Sequence, residues 1–537
     1  MGEPPAYGPR RFRRRALLAS TVSGALAFVL PVRIRPGGGL ALPAATSLAA
    51  TPKRFWARLP IPKVLDDAHI TLRIREAEMQ ILPGPKTKVW TYGGTFPAPT
   101  IRRKAGHRTR VTFIHDLPPS VGELSVHLHG GHNASHDDGQ PGGLTRRHSK
   151  SLYCDISPDL SAKVSGNRLL IRPGDRRTYV YDLMEDGEPE RAAFQWYHDH
   201  RLDHTGRNVW RGLAGMFILD DALDESLPLP KGRHDIPLML ADRSLDRHNQ
   251  LTNPFANPLS PPADGVTGHY VLVNGAYAPY HEVAARRYRL RLLNASNFRS
   301  YNLHLTGGAS VMQIATEAGL MPAPLERNRL LIGPAERVEV VADFTKAHGT
   351  NVVLRSVPRE DGVHGAGTQP YEGPLMQFRV GRRAADDSSV PDTLRPLPSW
   401  ASDAADAWAT TPSVDKTWTV TLGGGFVQKW RINGKSFDPA RVDDTPTIDS
   451  TVVWRLRNAS DVAHMMHLHS TDFYMLARNG QPPPPWENCL KETFFLAPHE
   501  DIVVAGRLSD HLGKFVIHCH MLDHEDHGLM TQFKIIA

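Results

Sequence analysis

Histidine pairs in four short clusters are the residues of this chain best suited to metal chemistry. In a β-strand, side chains alternate between faces with period two, so both imidazoles of a His-x-His pair project from one side. One pair is weak evidence, because two surface imidazoles would explain it, but four clusters predict metal binding. The clusters are His127 with His129, His198 with His200, His464 with His467 and His469, and His518 with His520 and His524.

Cys519 lies between His518 and His520 and therefore faces the opposite side of the predicted strand. Its thiolate, with the imidazoles of His464 and His524, makes the Cys-plus-two-His ligand set of a blue-copper electron-transfer site. The eight remaining paired imidazoles predict a second, multinuclear centre. This donor set suits copper and argues against magnesium, calcium or manganese as the bound cofactor. Zinc stays chemically open, although it would need four ligands at each site.

The segments that must position these side chains are short β-type runs separated by Gly, Pro, Asn and Asp, a spacing typical of β-sandwiches. Domain-sized repeats support this interpretation, since the seven residues from Arg291 recur, with small changes, from Arg455. The sequence therefore predicts an all-β chain of three related β-sandwich domains. The predicted domain ranges are 51–222, 223–385 and 416–537, with a linker at 386–415.

The middle repeat lacks the metal-binding residues of the third. Aligning the two copies places Ser300, Leu303 and Leu305 where the third domain has His464, His467 and His469. We therefore expect the middle domain to hold no copper.

With all four clusters in order, the chain resembles the three-domain multicopper oxidases, a group that contains laccases, bilirubin oxidases and spore-coat laccases. The resemblance extends from about residue 60 to the end and includes the stretch from Trp196 to His200. It implies three cupredoxin-like Greek-key domains and four copper ions, one of type 1, one of type 2 and two of type 3. By this resemblance, His127 and His467 hold the type 2 copper. The type 3 pair is then held by His129, His198, His200, His469, His518 and His520.

Two departures from the family pattern lie beside the predicted ligands. The third motif of the family usually reads His-Pro-x-His-Leu-His-Gly, whereas this chain has Met465 for the proline and Ser470 for the glycine. The ligand spacing is kept, so we expect copper binding to be kept. The axial position of the blue site, ten residues after the cysteine, is Leu529, and Met530 follows it. Strand alternation favours Leu529 as an apolar axial neighbour, unless a bulge brings Met530 to the copper.

Two carboxylates are candidate catalytic residues alongside Cys519. Asp138 occupies the position of the family's acid beside the first motif, and Glu525 follows the ligand His524. Reduction of dioxygen to water consumes four protons, so both are candidate proton relays. A purely supporting role for either carboxylate is equally open.

The remaining cysteines and the other histidines near the motifs are not predicted to bind metal. Cys154 and Cys489 form a candidate disulfide between the first and third domains if the protein is exported. The remaining histidines near the motifs are predicted to be solvated loop residues and not ligands; they are His132, His136, His148, His204, His499, His511 and His527.

The first 50 residues read as an export signal. They hold seven Arg and one Glu, so they supply +6 of the chain's net charge of +7, and the body of the protein is nearly neutral. This distribution excludes a nucleic-acid partner. Arg14 and Arg15 precede an apolar run too short and too interrupted to span a membrane stably, a pattern that resembles the twin-arginine signal. We therefore expect the twin-arginine translocase as a transient partner and a periplasmic or extracellular location.

The predicted activity is oxidation of a small phenolic, aminophenolic or aromatic amine donor, with dioxygen reduced to water. A metal-ion oxidase acting on Cu(I) or Mn(II), or a bilirubin-type oxidase, is the enzymatic alternative. The 13 Met are scattered, without the Met-rich segment expected of a cuprous oxidase, and this disfavours the metal-ion oxidase. The non-enzymatic alternative is a copper-free structural protein on the same scaffold, which the intact ligand set disfavours.

Overall fold

The computed structural model describes residues 53–142, 169–255, 265–359, 371–423 and 429–537. β-strands dominate, and several show the expected alternation of buried and exposed residues. In the strand His69–Met79, Ile70, Leu72 and Ile74 are buried while the residues between them are exposed. One face of such a strand packs on a core and the other meets water. Within the described residues, no helix is long and apolar enough to cross a membrane.

The strands of the first predicted domain form a five-stranded sheet, β1-β4-β11-β10-β6, a four-stranded sheet, β3-β2-β5-β7, and the hairpin β8-β9. Their bounds are β1 Val64–Leu65, β2 His69–Met79, β3 Thr87–Tyr92, β4 Ala98–Lys104, β5 Thr109–His115, β6 Val126–His129, β7 Arg176–Tyr181, β8 Met184–Glu185, β9 Glu188–Pro189, β10 Ala193–Asp199 and β11 Ala214–Asp220. Two short helices, α1 Thr205–Arg211 and α2 Ala222–Ser226, and a 3-10 turn at Pro119–Val121 accompany them.

The middle range contains a seven-stranded sheet, β14-β13-β12-β16-β21-β18-β19, and a five-stranded sheet, β15-β23-β22-β17-β20. The bounds are β12 Asp235–Arg243, β13 Tyr270–Val273, β14 Ala276–Tyr277, β15 Tyr280–Ala285, β16 Arg287–Asn294, β17 Tyr301–Leu305, β18 Ser310–Thr316, β19 Gly319–Glu326, β20 Leu330–Ile332, β21 Arg337–Asp343, β22 Asn351–Ser356 and β23 Gly373–Arg383, after a 3-10 turn at Gly232–His234. Leu303 and Leu305 lie in the apolar core, so the side chains at these positions contribute to packing and are not metal ligands.

The third range pairs a six-stranded sheet, β25-β24-β26-β31-β28-β29, with a four-stranded sheet, β30-β27-β32-β33. The bounds are β24 Lys416–Leu422, β25 Trp430–Ile432, β26 Ser450–Asn458, β27 His464–Leu468, β28 Phe473–Arg478, β29 Leu490–Lys491, β30 Thr493–Leu496, β31 Asp501–Leu508, β32 Gly513–Cys519 and β33 Met530–Ile535. A 3-10 turn at Pro485–Glu487 and the helix α4 Leu522–Asp526 complete this part, and the helix α3 Ser399–Thr410 precedes it.

The predicted linker contains a helix that the sequence interpretation did not foresee. α3 begins after Pro398, which supplies the fixed backbone angle of a helix start, and continues through a segment rich in alanine, the best helix former. Ala401 is fully buried and packs with Tyr474 and Val503 of the third range. The helical part of the predicted linker is therefore docked on the third range, whereas Leu394, before the helix, packs with Ile314 and Val341 of the middle range.

The all-β prediction is confirmed. Every sheet of the described residues draws its strands from a single one of the three predicted ranges. The export signal and Cys154 lie outside the described residues, so the signal and the pairing of Cys154 with the buried Cys489 stay predictions.

Candidate metal centre

Two pairs of neighbouring strands bring the four histidine clusters together. β6 and β10 pair antiparallel, with His127 opposite His198, and β27 and β32 pair antiparallel, with His467 opposite His518. Because each strand also carries a second histidine two residues away or just past its end, imidazoles of both strand pairs meet in one buried region. All eleven predicted ligands are at most 2% exposed.

Cys519, His464 and His524 form a group whose candidate ligand atoms lie within 4.8 Å of one another. The Cys519 Sγ atom lies 3.8 Å from His464 Nδ1 and 3.7 Å from His524 Nδ1. The two Nδ1 atoms are 3.1 Å apart. The sulfur and the two Nδ1 atoms thus face a common point, which fits the predicted blue-copper set.

The protonation chemistry of this group also fits a metal. Burial lowers the pKa of His464 to about 3, so its imidazole is neutral with a free lone pair near neutral pH. Burial raises the pKa of the Cys519 thiol to about 12, so a binding metal ion must displace the thiol proton.

The other eight imidazoles divide into two triads and a pair. His200, His469 and His518 form one triad, in which the Nε2 atoms of His200 and His469 each lie 3.2 Å from that of His518. His129, His198 and His520 form the other triad. His127 Nε2 and His467 Nε2 lie 3.5 Å apart and make the pair.

Oxygen atoms fix the ring orientation of five of these eight histidines. Each donates its Nδ1–H, which leaves Nε2 free to face the other imidazoles. The acceptors are the carbonyl of Asp138 for His127, that of Asp199 for His198, that of Glu492 for His467, the carboxylate of Asp138 for His469, and the carbonyl of Cys519 for His518.

His129 has the opposite orientation. Its Nε2 lies 2.9 Å from the carboxylate of Glu492 and 3.2 Å from the hydroxyl of Thr493, while its buried Nδ1 has no hydrogen-bond partner. An N–H donated to the carboxylate leaves Nδ1 as the atom with a free lone pair. His129 therefore offers Nδ1 to a metal, unlike the five histidines that offer Nε2.

The two predicted proton relays lie against ligands. Asp138 Oδ2 accepts from His469 Nδ1 at 2.7 Å, and Glu525 Oε2 lies 3.1 Å from His518 Nδ1. Burial raises the pKa of Asp138. The pKa of Glu525 falls to about 2, because the nearby imidazoles of His518 and His200 outweigh the effect of burial.

The structure places Leu529, and not Met530, in the apolar cluster that contains Cys519. The carbonyl of Leu529 also accepts the Cys519 N–H at 3.0 Å. Met530 is fully buried in a separate cluster with Phe437 and Val516. No bulge brings Met530 to the blue-copper group, so the geometry agrees with the alternation of the strand.

Several residues around the ligands were missed by sequence reasoning. Trp430 is buried, with its ring centroid 4.6 Å from those of both His464 and His524. Arg337 enters from the middle range and pairs with Glu492. The sequence does hint at Glu492, because Lys491 and Glu492 are charged residues within an otherwise apolar run that continues through Phe495. Their ion-pair partners, however, lie 155 or more residues away along the chain.

His132 was expected to be a solvated loop residue, and that expectation was wrong. It is 3% exposed, its Nδ1 lies 2.8 Å from Asp510, and its Nε2 lies 3.7 Å from Asp472. The two carboxylates raise the pKa of His132 well above its ordinary value despite its burial. A histidine in a polar loop is buried here because two acids from the third range cover it.

Comparisons with known proteins agree with this geometry. Residues 73–150 and 409–536 match family models described as multicopper oxidase. A laccase of Bacillus subtilis is 31% identical over 532 residues, covering 90% of this chain and 99% of the relative, and one of Bacillus stratosphericus is 30% identical with the same coverage. The crystal structure of a laccase from Pediococcus acidilactici superposes with a TM-score of 0.72 at 28% identity, covering 90% of this chain and 95% of that one.

The chain therefore belongs to the multicopper oxidase family, and its sandwiches are cupredoxin-like domains. Within that family it is a laccase-like oxidoreductase with four copper ions, one of type 1, one of type 2 and two of type 3. It uses dioxygen and a reducing substrate.

Proposed function

We propose that Cys519, His464 and His524 hold the type 1 copper and that this site takes electrons from small phenols, aminophenols or aromatic amines. The observation that carries the proposal is the position of Cys519. Its side chain faces the two imidazoles of the blue-copper group, while its chain neighbours His518 and His520 each belong to a different histidine triad. The end of β32 and the residue that follows it thus contribute one candidate ligand to the blue-copper group and one to each of the two histidine triads.

The eight other imidazoles would hold the trinuclear cluster. His127 and His467 fit the type 2 copper, one type 3 copper fits His129, His198 and His520, and the other fits His200, His469 and His518. The ring orientations support this division, because every imidazole that donates its Nδ1–H to an oxygen presents its Nε2 to the other imidazoles. Bound copper would supply one-electron oxidation of the donor and four-electron reduction of dioxygen.

The chain's own residues contribute orientation, connection and protons. The peptide links from Cys519 to His518 and His520 join the two kinds of site through covalent bonds. Trp430 packs on both imidazoles of the blue-copper group and excludes water from them. Asp138 Oδ2 accepts the ring N–H of His469, and Glu525 Oε2 lies 3.1 Å from Nδ1 of His518. We propose that these same two carboxylates pass protons toward dioxygen.

The three domain ranges, 51–222, 223–385 and 416–537, stay our proposal for the organisation of the chain. We also propose that the first 50 residues direct export by the twin-arginine translocase, so that the enzyme acts in the periplasm or outside the cell. The pair Arg14 and Arg15, followed by the apolar run, supports this.

Oxygen uptake by the copper-loaded chain tests the proposed donor class. We would supply a phenol, an aromatic amine, bilirubin, Cu(I) and Mn(II) in parallel and count donor oxidised per dioxygen consumed. The proposal predicts fastest turnover with the phenol or the amine, at four one-electron oxidations per dioxygen. Faster turnover of either metal ion would contradict the aromatic donor class, and hydrogen peroxide as the product would contradict the trinuclear assignment.

A further inference from the structure

The Cys519 sulfur accepts a hydrogen bond from a neighbouring strand. The backbone N–H of Met465 donates to Cys519 Sγ at a nitrogen–sulfur distance of 3.4 Å. The carbonyl of the same residue accepts the N–H of His520 at 2.6 Å. The backbone of Met465 thus contacts both Cys519, the last residue of β32, and His520, which follows it. Met465 and Cys519 are both fully buried, so water does not compete for the sulfur.

This donor exists because of the residue type at position 465. Proline has no backbone N–H, and the motif that this chain resembles has proline there. Met465 therefore adds a donor that the usual motif cannot supply.

We propose that the Met465 N–H tunes the blue copper site by withdrawing charge from the Cys519 thiolate, which raises the reduction potential of the bound copper. The inference rests on the proposed assignment of Cys519 as the type 1 ligand. Hydrogen bonds around a blue-copper sulfur are one of the protein's means of setting its potential. A thiolate that gives up charge to a donor gives less to copper, and the oxidised ion depends on that charge more than the reduced ion does.

The surroundings of the site act in the same direction. The side chain of Leu529 is fully buried in the apolar cluster that contains Cys519, and an alkyl group would offer no electron pair to a bound copper. Met465 is a tuning residue and not a catalytic one, since only its backbone contacts the sulfur.

The side chain of Met465 has a separate packing role, which any test must keep apart from the backbone effect. Its Sδ lies against Gly333 of the middle range, so closely that a β-carbon on Gly333 would be 2.4 Å from the sulfur. Met465→Leu keeps the backbone N–H and roughly the side-chain volume, and is therefore the matched control. Met465→Pro removes the N–H together with the side chain.

A second variant removes the N–H without a proline ring. Incorporation of the α-hydroxy acid analogue of methionine at position 465 replaces the amide by an ester, so an oxygen stands where the N–H was. This variant keeps the contact with Gly333 and decides the question if Met465→Pro fails to fold.

The experiment is a redox titration of the blue site in the full, copper-loaded chain, with copper per chain measured for each variant. We expect Met465→Leu to keep the wild-type potential. Met465→Pro and the ester variant should both show a lower potential at unchanged copper content. An unchanged potential in the ester variant would overturn the inference. Absence of a blue site in the wild-type protein would instead overturn the proposed function, so the two failures are distinguishable.

Discussion

Arg337, from the domain without copper ligands, forms a buried ion pair with Glu492, whose carboxylate also contacts the predicted copper ligand His129. Arg337 Nη2 lies 3.2 Å from Glu492 Oε2, and a second contact joins Nη1 to Oε1. Glu492 Oε1 in turn lies 2.9 Å from His129 Nε2. The middle domain thus holds the carboxylate that fixes which nitrogen of His129 is free for metal.

Arg337→Met should lower the free energy of unfolding by about 3–5 kcal/mol, because it leaves the buried charge of Glu492 unpaired. The measurement is denaturant unfolding of the wild type and of the variant. The double variant with Glu492→Gln should lose less than the sum of the two single changes, since neither charge remains. Additive losses would show that the two residues do not interact energetically.

Leu529→Met should lower the reduction potential of the blue site, because an axial thioether donates charge to copper and an alkyl group does not. Turnover of donors that are hard to oxidise should slow, with copper content unchanged. Met530→Leu is the matched control, since Met530 packs in a separate cluster. Redox titration of both variants measures the effect, and a potential that responds only to Met530 would show that the axial neighbour is misassigned.

Glu190 is a buried carboxyl whose pKa burial raises to about 8. In the unfolded chain it ionises near pH 4.5, so the free energy of unfolding should fall as pH rises from about 4.5 to 8, while the folded form stays protonated. Glu190→Gln removes this loss. The stability of this variant relative to the wild type should therefore increase between pH 5 and pH 8, by at most about 4 kcal/mol at roughly 1.4 kcal/mol per pH unit.

Denaturant unfolding at the two pH values measures this change. The exposed Glu188, two residues before Glu190, provides the control Glu188→Gln, which should show no such pH dependence. Equal responses of the two variants would contradict the burial argument.

Changing Arg14 and Arg15 to Lys should trap the precursor in the cytoplasm if the twin-arginine translocase exports the protein. Cell fractionation followed by immunoblotting measures the distribution. Matched changes at Arg10 and Arg11 serve as the control. Normal export of the Arg14/Arg15 variant would indicate either the general secretory route or Arg10 and Arg11 as the operative pair.

Much of the site could be predicted from the sequence because the ligands are placed by the spacing of residues within short segments. Period-two spacing places the paired imidazoles on one face of a strand and Cys519 on the opposite face. The resemblance to the family indicates position 529 beside the blue-copper group, and alternation turns Met530 away from it. The repeated stretches from Arg291 and Arg455 likewise revealed the domain pattern, since each stretch folds into a corresponding strand, β16 and β26.

What could not be predicted depends on contacts between distant segments. His132 lies in a polar loop by sequence, and only the approach of Asp472 and Asp510 makes it a buried, paired side chain. The Arg337–Glu492 pair spans 155 positions and has no local motif. α3 escapes prediction for a different reason, because its Ala- and Asp-rich composition is typical of a linker although alanine also favours helix.

Copper per chain in the wild type and in Cys519→Ser tests the central claim most directly. A hydroxyl does not replace the thiolate bond of a blue site, whereas the eight imidazoles of the other groups are untouched by this change. The assignment predicts four copper ions in the wild type and three in the variant, with the blue colour and the oxidation of organic donors lost. An unchanged copper count with retained blue absorption in Cys519→Ser would contradict it.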